Sequence, residues 1–317
     1  MLTLGVIGTN WITKQFVEAA KGRFKLTAVY SRKQATADKF IAETNPAQAF
    51  TDLEAFLASG IDVVYIASPN SLHAAQTVAA LNHGLHVICE KPLVSHISQL
   101  AQIQAALDAH PEAMVFEAAR HLYDPNFAVI QQYLFTHHAT GASLGYMKYS
   151  SRYDAFLAGD DPNIFSPRFA GGALMDLGVY LVYAAVAWFG KPQQATYLAH
   201  KLANGIDGDG VACLAYQDLD VVLRMGKTAN SQAPSELYFG RDTLRFDSPG
   251  ELNHLRLNDQ SIQVPHAANP MTEEAAFFAQ AFEQNDRAAF ELKWSLAKTV
   301  HQVMAELRQS AGLHFTD

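Results

Sequence analysis

In residues 1–120, short apolar runs alternate with segments whose apolar residues recur at helical spacing. The runs cover residues 3–7, 26–30, 62–67, 87–89 and 114–118. Near-continuous apolar runs of this length are typical of strands buried on both faces of a parallel sheet. Because helical segments such as 97–107 separate the runs, we predict a doubly wound parallel sheet for this part of the chain.

The pattern changes near residue 120, where a turn at 123–126 leads into a predicted helix at 127–134. A strand at 145–153, an irregular loop at 154–170 and a helix from residue 173 follow. The later strand-like segments are 195–199, 210–216, 220–225, 235–240, 243–246 and 255–264, and helices at 272–284 and 295–309 close the chain. We therefore expect an α/β domain at 1–120 and an α+β domain at 121–317 with an open, mostly antiparallel sheet.

Composition narrows the range of functions. The chain has 317 residues, 49% of them hydrophobic and 17% charged, which suits two globular domains. A net charge of −8 argues against nucleic acid as a partner. Cys89 and Cys213 form no disulfide framework. No signal-like segment opens the chain, and the longest apolar run, 179–189, is too short for a bilayer. We expect a cytoplasmic protein without a membrane partner.

A glycine-containing turn follows the first strand. Gly8, Thr9, Asn10 and Trp11 form this turn, and the predicted helix continues from Ile12. A strand, a glycine turn and a helix are the start of a dinucleotide-binding unit, in which the helix N-terminus receives the pyrophosphate. Asn10 replaces a fingerprint glycine, and we expect it to keep the turn because asparagine tolerates left-handed geometry. An ordinary strand–helix turn is the alternative.

Ser31 and Arg32 end the second strand-like run, about 20 residues beyond the glycine turn. NAD-specific enzymes carry an acidic residue at this point, and none is present. A hydroxyl and a guanidinium suit a 2′-phosphate instead. We therefore expect NADP(H) as the preferred cofactor and NAD(H) as a second one. A solvated basic loop is the alternative reading.

Two further polar motifs follow apolar strands. Ser68, Pro69 and Asn70 end one strand, with Asn70 or Ser71 as the expected helix cap, and His73 falls in that helix's first turn. Glu90 and Lys91 precede Pro92, which ends the next strand and keeps Lys91 extended. Ligands of open α/β sheets bind at the carboxyl ends of the strands. We expect these residues at a cofactor site, although a solvated lysine and a structural histidine are the simpler alternatives.

The segment 171–180 places polar groups on an otherwise apolar helix. Asp176 and Tyr180 are four residues apart and share one helical face. Gly178 in the helix interior costs about 1 kcal/mol relative to alanine and usually permits a close approach. The surrounding apolar residues leave little room for a solvated face, so we favour a pocket over an amphipathic surface helix.

Taken together, these motifs resemble the glucose–fructose oxidoreductase / inositol dehydrogenase (Gfo/Idh/MocA) family over nearly the whole chain, including the ending 307–315. The resemblance implies a Rossmann domain followed by an α/β domain whose open sheet forms the oligomer interface, giving a dimer or tetramer. It also implies hydride transfer between NAD(P) and a sugar, polyol or related hydroxyl or carbonyl compound. The family's lysine and aspartate fall on Lys91 and Asp176. Tyr180 is similar to the tyrosine of the glucose–fructose oxidoreductase and dimeric dihydrodiol dehydrogenase subgroup.

The expected chemistry needs a proton-transfer group beside a cation. A free phenol has a pKa near 10, so Tyr180 requires an adjacent positive charge, which Lys91 would supply. Asp176 would orient the substrate or Lys91. No metal site is expected. The candidate cofactor-binding residues are Gly8, Thr9, Asn10, Trp11, Ile12, Ser31, Arg32, Ser68, Pro69, Asn70, His73, Glu90 and Lys91.

Two other functions fit the same motifs. One is a glycoside hydrolase that uses bound NAD for a transient oxidation, and the other is an NADP(H)-binding sensor without turnover. For self-association through the second domain, the expected interface residues are Leu214, Tyr216, Val222 and Leu223.

Overall fold

The computed structural model describes residues 1–46 and 48–315 and divides the chain into two compact units. The first unit consists of Met1–Ala118 and Ala267–Ser295. The second consists of Ala119–His266 and the C-terminal segment from Leu296 onward. The sequence placed a single boundary at residue 120. In the structure the boundary lies two residues earlier, and a later segment returns to the first unit.

The first unit is built on a six-stranded parallel sheet. Its strands are β1 (Thr3–Ile7), β2 (Lys25–Tyr30), β3 (Gln48–Phe50), β4 (Val63–Ile66), β5 (His86–Glu90) and β6 (Val115–Ala118). They lie in the order β3-β2-β1-β4-β5-β6, with every pair parallel. The doubly wound sheet is therefore confirmed. The sequence missed only the short edge strand β3, which is partly exposed and lacks a long apolar run.

Helices follow the strands in this unit. They are α1 (Trp11–Ala19), α2 (Gln34–Thr44), α3 (Leu53–Leu57), α4 (Asn70–Asn82) and α5 (Gln99–Ala109). Asp52 caps α3 by accepting a hydrogen bond from the Ala55 amide at 2.8 Å. Helix α4 begins directly after Pro69, so Asn70 and Ser71 lie within its first turn rather than at the position before it. The fixed backbone angle of a proline already suits the approach to a helix.

The returning segment packs on β6 through aromatic rings. Phe277 and Phe278 lie in α9 (Thr272–Glu283), and Phe290 lies near the start of α10 (Arg287–Ser310). The Phe116 ring of β6 has centroid distances of 5.4 Å to Phe278, 5.4 Å to Phe282, 5.6 Å to Phe277 and 6.1 Å to Phe290. This cluster is the physical reason why the segment joins the first unit.

The second unit contains an eight-stranded mixed sheet. Its strands are β7 (Gly141–Met147), β8 (Gln194–Lys201), β9 (Asp207–Ala215), β10 (Asp220–Gly226), β11 (Ser235–Phe239), β12 (Asp242–Phe246), β13 (Arg256–Leu257) and β14 (Gln260–Ser261). The order is β14-β13-β12-β11-β7-β10-β9-β8. Strands β7 and β10 run parallel, and the other neighbours are antiparallel. A mostly antiparallel sheet is confirmed.

Helical segments connect these strands. They are α6 (Pro125–Thr136), α7 (Tyr153–Leu157) and α8 (Val179–Phe189), with a π-helical turn at Leu174–Gly178 that leads directly into α8. By length and composition alone, Pro167–Phe189 could cross a membrane, but 83% of its apolar window is buried, as in a core helix. The predicted strand at 145–153 is wrong, because β7 ends at Met147 and Tyr153 begins α7. The predicted strand at 255–264 is a short hairpin.

One face of the sheet is buried and the other is open. Leu214 and Leu223 are fully buried on the covered face, and Tyr216 follows the end of β9 and donates to the Ala185 carbonyl of α8. Their predicted role at the open face is therefore wrong. Side chains alternate along a strand, so the adjacent residues face outward. Val222 is 37% exposed, as predicted.

Candidate active site

A tight turn follows β1. Gly8 has a φ of +100°, and a Cβ at this position would lie 2.7 Å from the Ala67 carbonyl oxygen. Its amide donates to the Tyr30 carbonyl at 3.2 Å, so the turn contacts the ends of the two neighbouring strands. Only glycine adopts this backbone at so short a distance without strain. The turn brings the backbone close to the N-terminus of α1.

Asn10 keeps the turn by a mechanism that differs from the expected one. Its φ is −78°, which is not left-handed, and its side-chain oxygen caps α1 by accepting from the Thr13 amide at 3.0 Å. Its side-chain amide donates to the Ala67 carbonyl at 2.8 Å. Beside it, Thr9 and Ile12 are partly exposed, and Trp11 is 66% exposed. A polar cap and an exposed indole therefore border the helix N-terminus.

Ser31 and Arg32 directly follow β2, as predicted. The Ser31 amide donates to the Phe50 carbonyl at 3.0 Å, which fixes the backbone at this point. The Arg32 side chain is exposed. The guanidinium is thus presented to solvent on a fixed backbone, where an anionic group could bind it.

His73 lies in the first turn of α4 and is buried. Its Nδ1 is 2.8 Å from the Pro92 carbonyl oxygen, and its Nε2 is 2.8 Å from the Ser68 carbonyl oxygen. Burial lowers the pKa of His73, although both carbonyls act in the opposite direction. The imidazole therefore connects the segments that follow β4 and β5. In the same region Ser68, Pro69 and Asn70 are partly exposed.

Lys91 follows β5 and is partly exposed, and its peptide bond to Pro92 is cis. The preceding residue, Glu90, is buried and accepts a 2.6 Å hydrogen bond from the Tyr65 hydroxyl. Burial and this carboxylate raise the pKa of Tyr65. Glu90 thus anchors the end of β5 to β4 and does not point to solvent.

These motifs meet at one edge of the first unit. Strands β1, β4 and β5 are neighbours in the sheet and run parallel. Gly8, Ser68 and Lys91 follow their carboxyl ends, so these three backbone positions lie in a row along one edge of the sheet. This is the edge at which open α/β sheets bind ligands.

In the second unit, the π-helical turn carries Asp176, and Tyr180 lies in the first turn of α8. A Cβ on Gly178 would lie 2.6 Å from the Met225 sulfur, so this glycine permits the predicted close approach. The Asp176 Oδ2 lies 2.8 Å from the ammonium of Lys227. The sequence missed Lys227, because a lysine at the end of an antiparallel strand resembles a solvated one.

Asp207, the first residue of β9, holds the start of the same turn. Its Oδ2 accepts from the Leu174 amide at 2.6 Å and from the Tyr197 hydroxyl at 2.8 Å. Gly172 has a φ of +118°, and a Cβ there would overlap Asp207 Oδ1. Burial raises the pKa of Asp207 to about 6. No motif in the sequence indicates this buried carboxyl group.

Tyr180 is surrounded by polar rings and is only 8% exposed. Its ring centroid lies 5.0 Å from that of His121 and 5.7 Å from that of Tyr146. The Arg120 guanidinium lies 6.0 Å from the ring centroid and also donates to the Gly250 carbonyl at 3.1 Å. A cation near the phenol ring is therefore supplied within the second unit itself, by Arg120, which belongs to none of the sequence motifs.

Tyr146 also lines a groove of about 450 Å³ at one end of the sheet. Its other lining groups include Lys148, Asn230 and Glu251. Glu251 Oε1 accepts from the Lys148 ammonium at 3.4 Å and lies 3.5 Å from the Tyr146 hydroxyl. The groove thus combines donors and acceptors next to a ring that contacts Tyr180. Among residues 1–46 and 48–315, no cluster of His, Cys, Asp or Glu is arranged to hold a metal ion.

Residues 2–117 match the family model described as "Oxidoreductase family, NAD-binding Rossmann fold" (Gfo/Idh/MocA). The scyllo-inositol 2-dehydrogenase (NADP(+)) of Bacillus subtilis is 37% identical over 325 residues, which cover 99% of this chain and 98% of that protein. The chain belongs to the Gfo/Idh/MocA family. It is therefore an NAD(P)-dependent oxidoreductase, as the motifs predicted.

Solved structures share the fold of this Gfo/Idh/MocA protein at low sequence identity. The 3-ketoreductase KijD10 of Actinomadura kijaniata, solved with NADP and TDP-benzene, has a TM-score of 0.82 at 20% identity, covering 98% of this chain and 97% of that one. The WlbA dehydrogenase of Bordetella pertussis, solved with NADH and UDP-GlcNAcA, has a TM-score of 0.81 at 17% identity, covering 98% and 96%. These matches confirm the two-part fold.

Proposed function

We propose that the protein transfers a hydride between NADP(H) and a carbon of a polyol or sugar that carries a hydroxyl or carbonyl group. The observation that carries this proposal is the edge of the first unit, where Lys91 at the end of β5 shares one side of the sheet with the segment after β4 and the glycine turn after β1. The relative from Bacillus subtilis, which is named as an NADP(+)-dependent scyllo-inositol dehydrogenase, supports both the cofactor and the substrate class.

The residues at this edge fit a dinucleotide. The N-terminus of α1, with Gly8, Thr9, Asn10 and Ile12 around it, suits the pyrophosphate, because unpaired amides and the helix dipole favour an anion. Arg32, with Ser31, would hold the 2′-phosphate of NADP. When bound, the nicotinamide supplies or accepts the hydride. His73 and Glu90 would contribute indirectly, by fixing the backbone segments that carry Ser68 and Lys91.

Tyr180, Lys91 and Asp176 would each have a different role in the reaction. Tyr180 would take the substrate hydroxyl proton during oxidation and return it during reduction. Lys91 would hold the substrate oxygen and supply the positive charge that stabilises an alkoxide. Asp176 would accept a hydrogen bond from a substrate hydroxyl, since its carboxylate is fixed from the other side by Lys227.

The groove beside Tyr146 suits a small polyhydroxylated substrate. Its volume of about 450 Å³ lies within the usual range for small-molecule sites. Lys148 and Asn230 would donate to substrate hydroxyl groups, and Glu251 would accept from them. Recognition by several polar groups in one groove is what distinguishes a polyol from a simple alcohol.

We also propose that two copies associate through the open face of the second unit's sheet, in a dimer or tetramer. Leu198, Val211 and Val222 are 75%, 43% and 37% exposed on this face. An apolar surface of this kind is commonly covered by a symmetric partner. A cytoplasmic location agrees with two cysteines that remain free, one of them buried.

Substitution of the two reacting groups tests the proposal. Lys91→Met and Tyr180→Phe should each lower turnover of polyols by about 10²- to 10⁴-fold while cofactor binding persists. Lys25→Met, at an exposed lysine at the start of β2, and Tyr133→Phe in α6 change residues that have no proposed role in the site and serve as controls. A screen of polyols, sugars and diols with both cofactors identifies the substrate through nicotinamide absorbance.

Three outcomes would contradict parts of this proposal. Wild-type turnover in either reacting-group variant would remove that residue from the mechanism. Hydrolysis of glycosides without net cofactor reduction would favour the glycoside hydrolase alternative. Tight NADPH binding with no turnover across the whole panel would favour a sensor.

A further inference from the structure

Lys227 is a lysine in a position where lysines are rarely found. Its side chain is only 2% exposed, and the residue directly follows β10. Its backbone is held at both sides, because its amide donates to the Gly208 carbonyl at 2.8 Å and its carbonyl accepts from the Ser150 amide at 2.9 Å. A buried ammonium group on a fixed backbone is costly unless an opposite charge and hydrogen-bond acceptors surround it.

Asp176 supplies that charge. Its Oδ2 lies 2.8 Å from Lys227 Nζ, which also donates to the Ile164 carbonyl at 3.1 Å and lies 4.8 Å from the Phe165 ring centroid. The two partners differ in exposure, since the Asp176 side chain is 30% exposed. The carboxylate is thus fixed from its buried side while part of it reaches the surface.

We propose that Lys227 is a positioning residue that acts through Asp176. This inference rests on the proposed function. The Lys227 ammonium pairs with the Asp176 carboxylate and fixes its direction one helical turn before Tyr180. An ionised carboxylate only accepts hydrogen bonds, so Asp176 selects a substrate that presents a neutral hydroxyl group there. An anionic group at the same place is repelled, which restricts the substrate class to neutral polyols and sugars rather than sugar acids.

The purified full-length enzyme, assayed with NADP(H), tests this role by substrate discrimination. A polyol substrate identified in the screen is compared with its monodeoxy analogues, each lacking one hydroxyl group. In the wild-type enzyme, one analogue should lose about tenfold to a hundredfold in kcat/KM, because it cannot donate to Asp176. Lys227→Met should lower kcat/KM for the parent polyol by about tenfold to a hundredfold and remove most of that discrimination, with unchanged NADPH affinity.

Two comparison variants separate positioning from a general effect on folding. Lys191→Met removes an exposed lysine of the same unit that lies 3.8 Å from Glu306, and it should leave activity and discrimination unchanged. Lys227→Arg keeps the cation and should restore part of the discrimination. If Lys227→Met discriminates among the analogues as the wild type does, or if Lys191→Met loses discrimination equally, the proposal is overturned.

Urea unfolding tests the Lys227–Asp176 ion pair without an activity assay. Asp176→Asn should lower the midpoint more than Lys227→Met, because it leaves a buried ammonium without its counter-charge, whereas the exposed part of Asp176 can be hydrated. The double variant should be more stable than the sum of the two single effects predicts. Additive effects would overturn the pairing. A wild-type enzyme that turns over no member of the panel would instead contradict the proposed function.

Discussion

The buried carboxyl group of Asp207 should make the stability of the protein depend on pH in an unusual direction. Asp207 is fully buried, and no hydrogen-bond partner reaches its Oδ1 within the described part of the chain. Burial is the largest cause that raises its pKa from 3.8 to about 6, against the hydrogen bonds from Leu174 and Tyr197 and the charge of Lys227. The folded protein therefore holds this proton more tightly than the unfolded chain does.

The direction and the magnitude of the pH dependence of the stability follow from this difference in pKa. A carboxyl group whose pKa is higher in the folded state than in the unfolded chain stabilises the folded state while it is protonated. For Asp207 this stabilisation is present below pH 3.8 and is lost as the pH rises to about 6. The rise from 3.8 to about 6 is about two pH units, and at 1.36 kcal/mol each it corresponds to about 3 kcal/mol. Well above pH 6, Asp207 is ionised in both states and causes no further change of stability with pH.

Replacement of Asp207 by asparagine isolates this effect. Asparagine does not titrate and can still accept from the Leu174 amide. Relative to wild type, the free energy of unfolding of Asp207→Asn should therefore increase by about 2 kcal/mol between pH 4 and pH 7, because part of the effect already occurs below pH 4. Urea unfolding followed by circular dichroism at several pH values measures it, with the exposed Asp218→Asn as the control for loss of one charge. A difference that stays constant across this range would refute the reasoning.

Three further predictions follow from other parts of the structure. NADP(H) should bind about one to two orders of magnitude more tightly than NAD(H), and Ser31→Asp with Arg32→Ile should reverse the order in fluorescence titrations; equal binding by the wild type would contradict this. Gly172→Ala should destabilise the protein by more than Gly205→Ala, which has a similar positive φ but no atom near its Cβ, because only the former overlaps Asp207; equal urea midpoints would show that the overlap has no cost. Val222→Glu should dissociate the oligomer measured by light scattering, and a monomeric wild type would rule out the open-face interface.

The parallel sheet was predictable because its strands are buried on both faces and appear as continuous apolar runs. The sheet of the second unit was harder to predict from the sequence. Side chains of its strands alternate between a covered and an open face, and apolar character alone does not reveal which face is covered. Leu214 and Leu223 were therefore predicted on the open face, although both are buried on the covered one. The roles of Lys227 and Asp207 depend on contacts between β-strands and the π-helical turn, which are distant in sequence and leave no local pattern.

The aromatic cluster on Phe116 has a consequence for the order of folding during synthesis. The chain passes between the two units after residues 118, 266 and 295, so the first unit contains the earliest strands and a late segment. While the chain is still growing, β6 lacks the rings of α9 and α10 that cover Phe116. An N-terminal fragment that ends near residue 120 would therefore keep an uncovered aromatic surface and should aggregate. The dinucleotide-binding unit becomes complete only when nearly the whole polypeptide has been made.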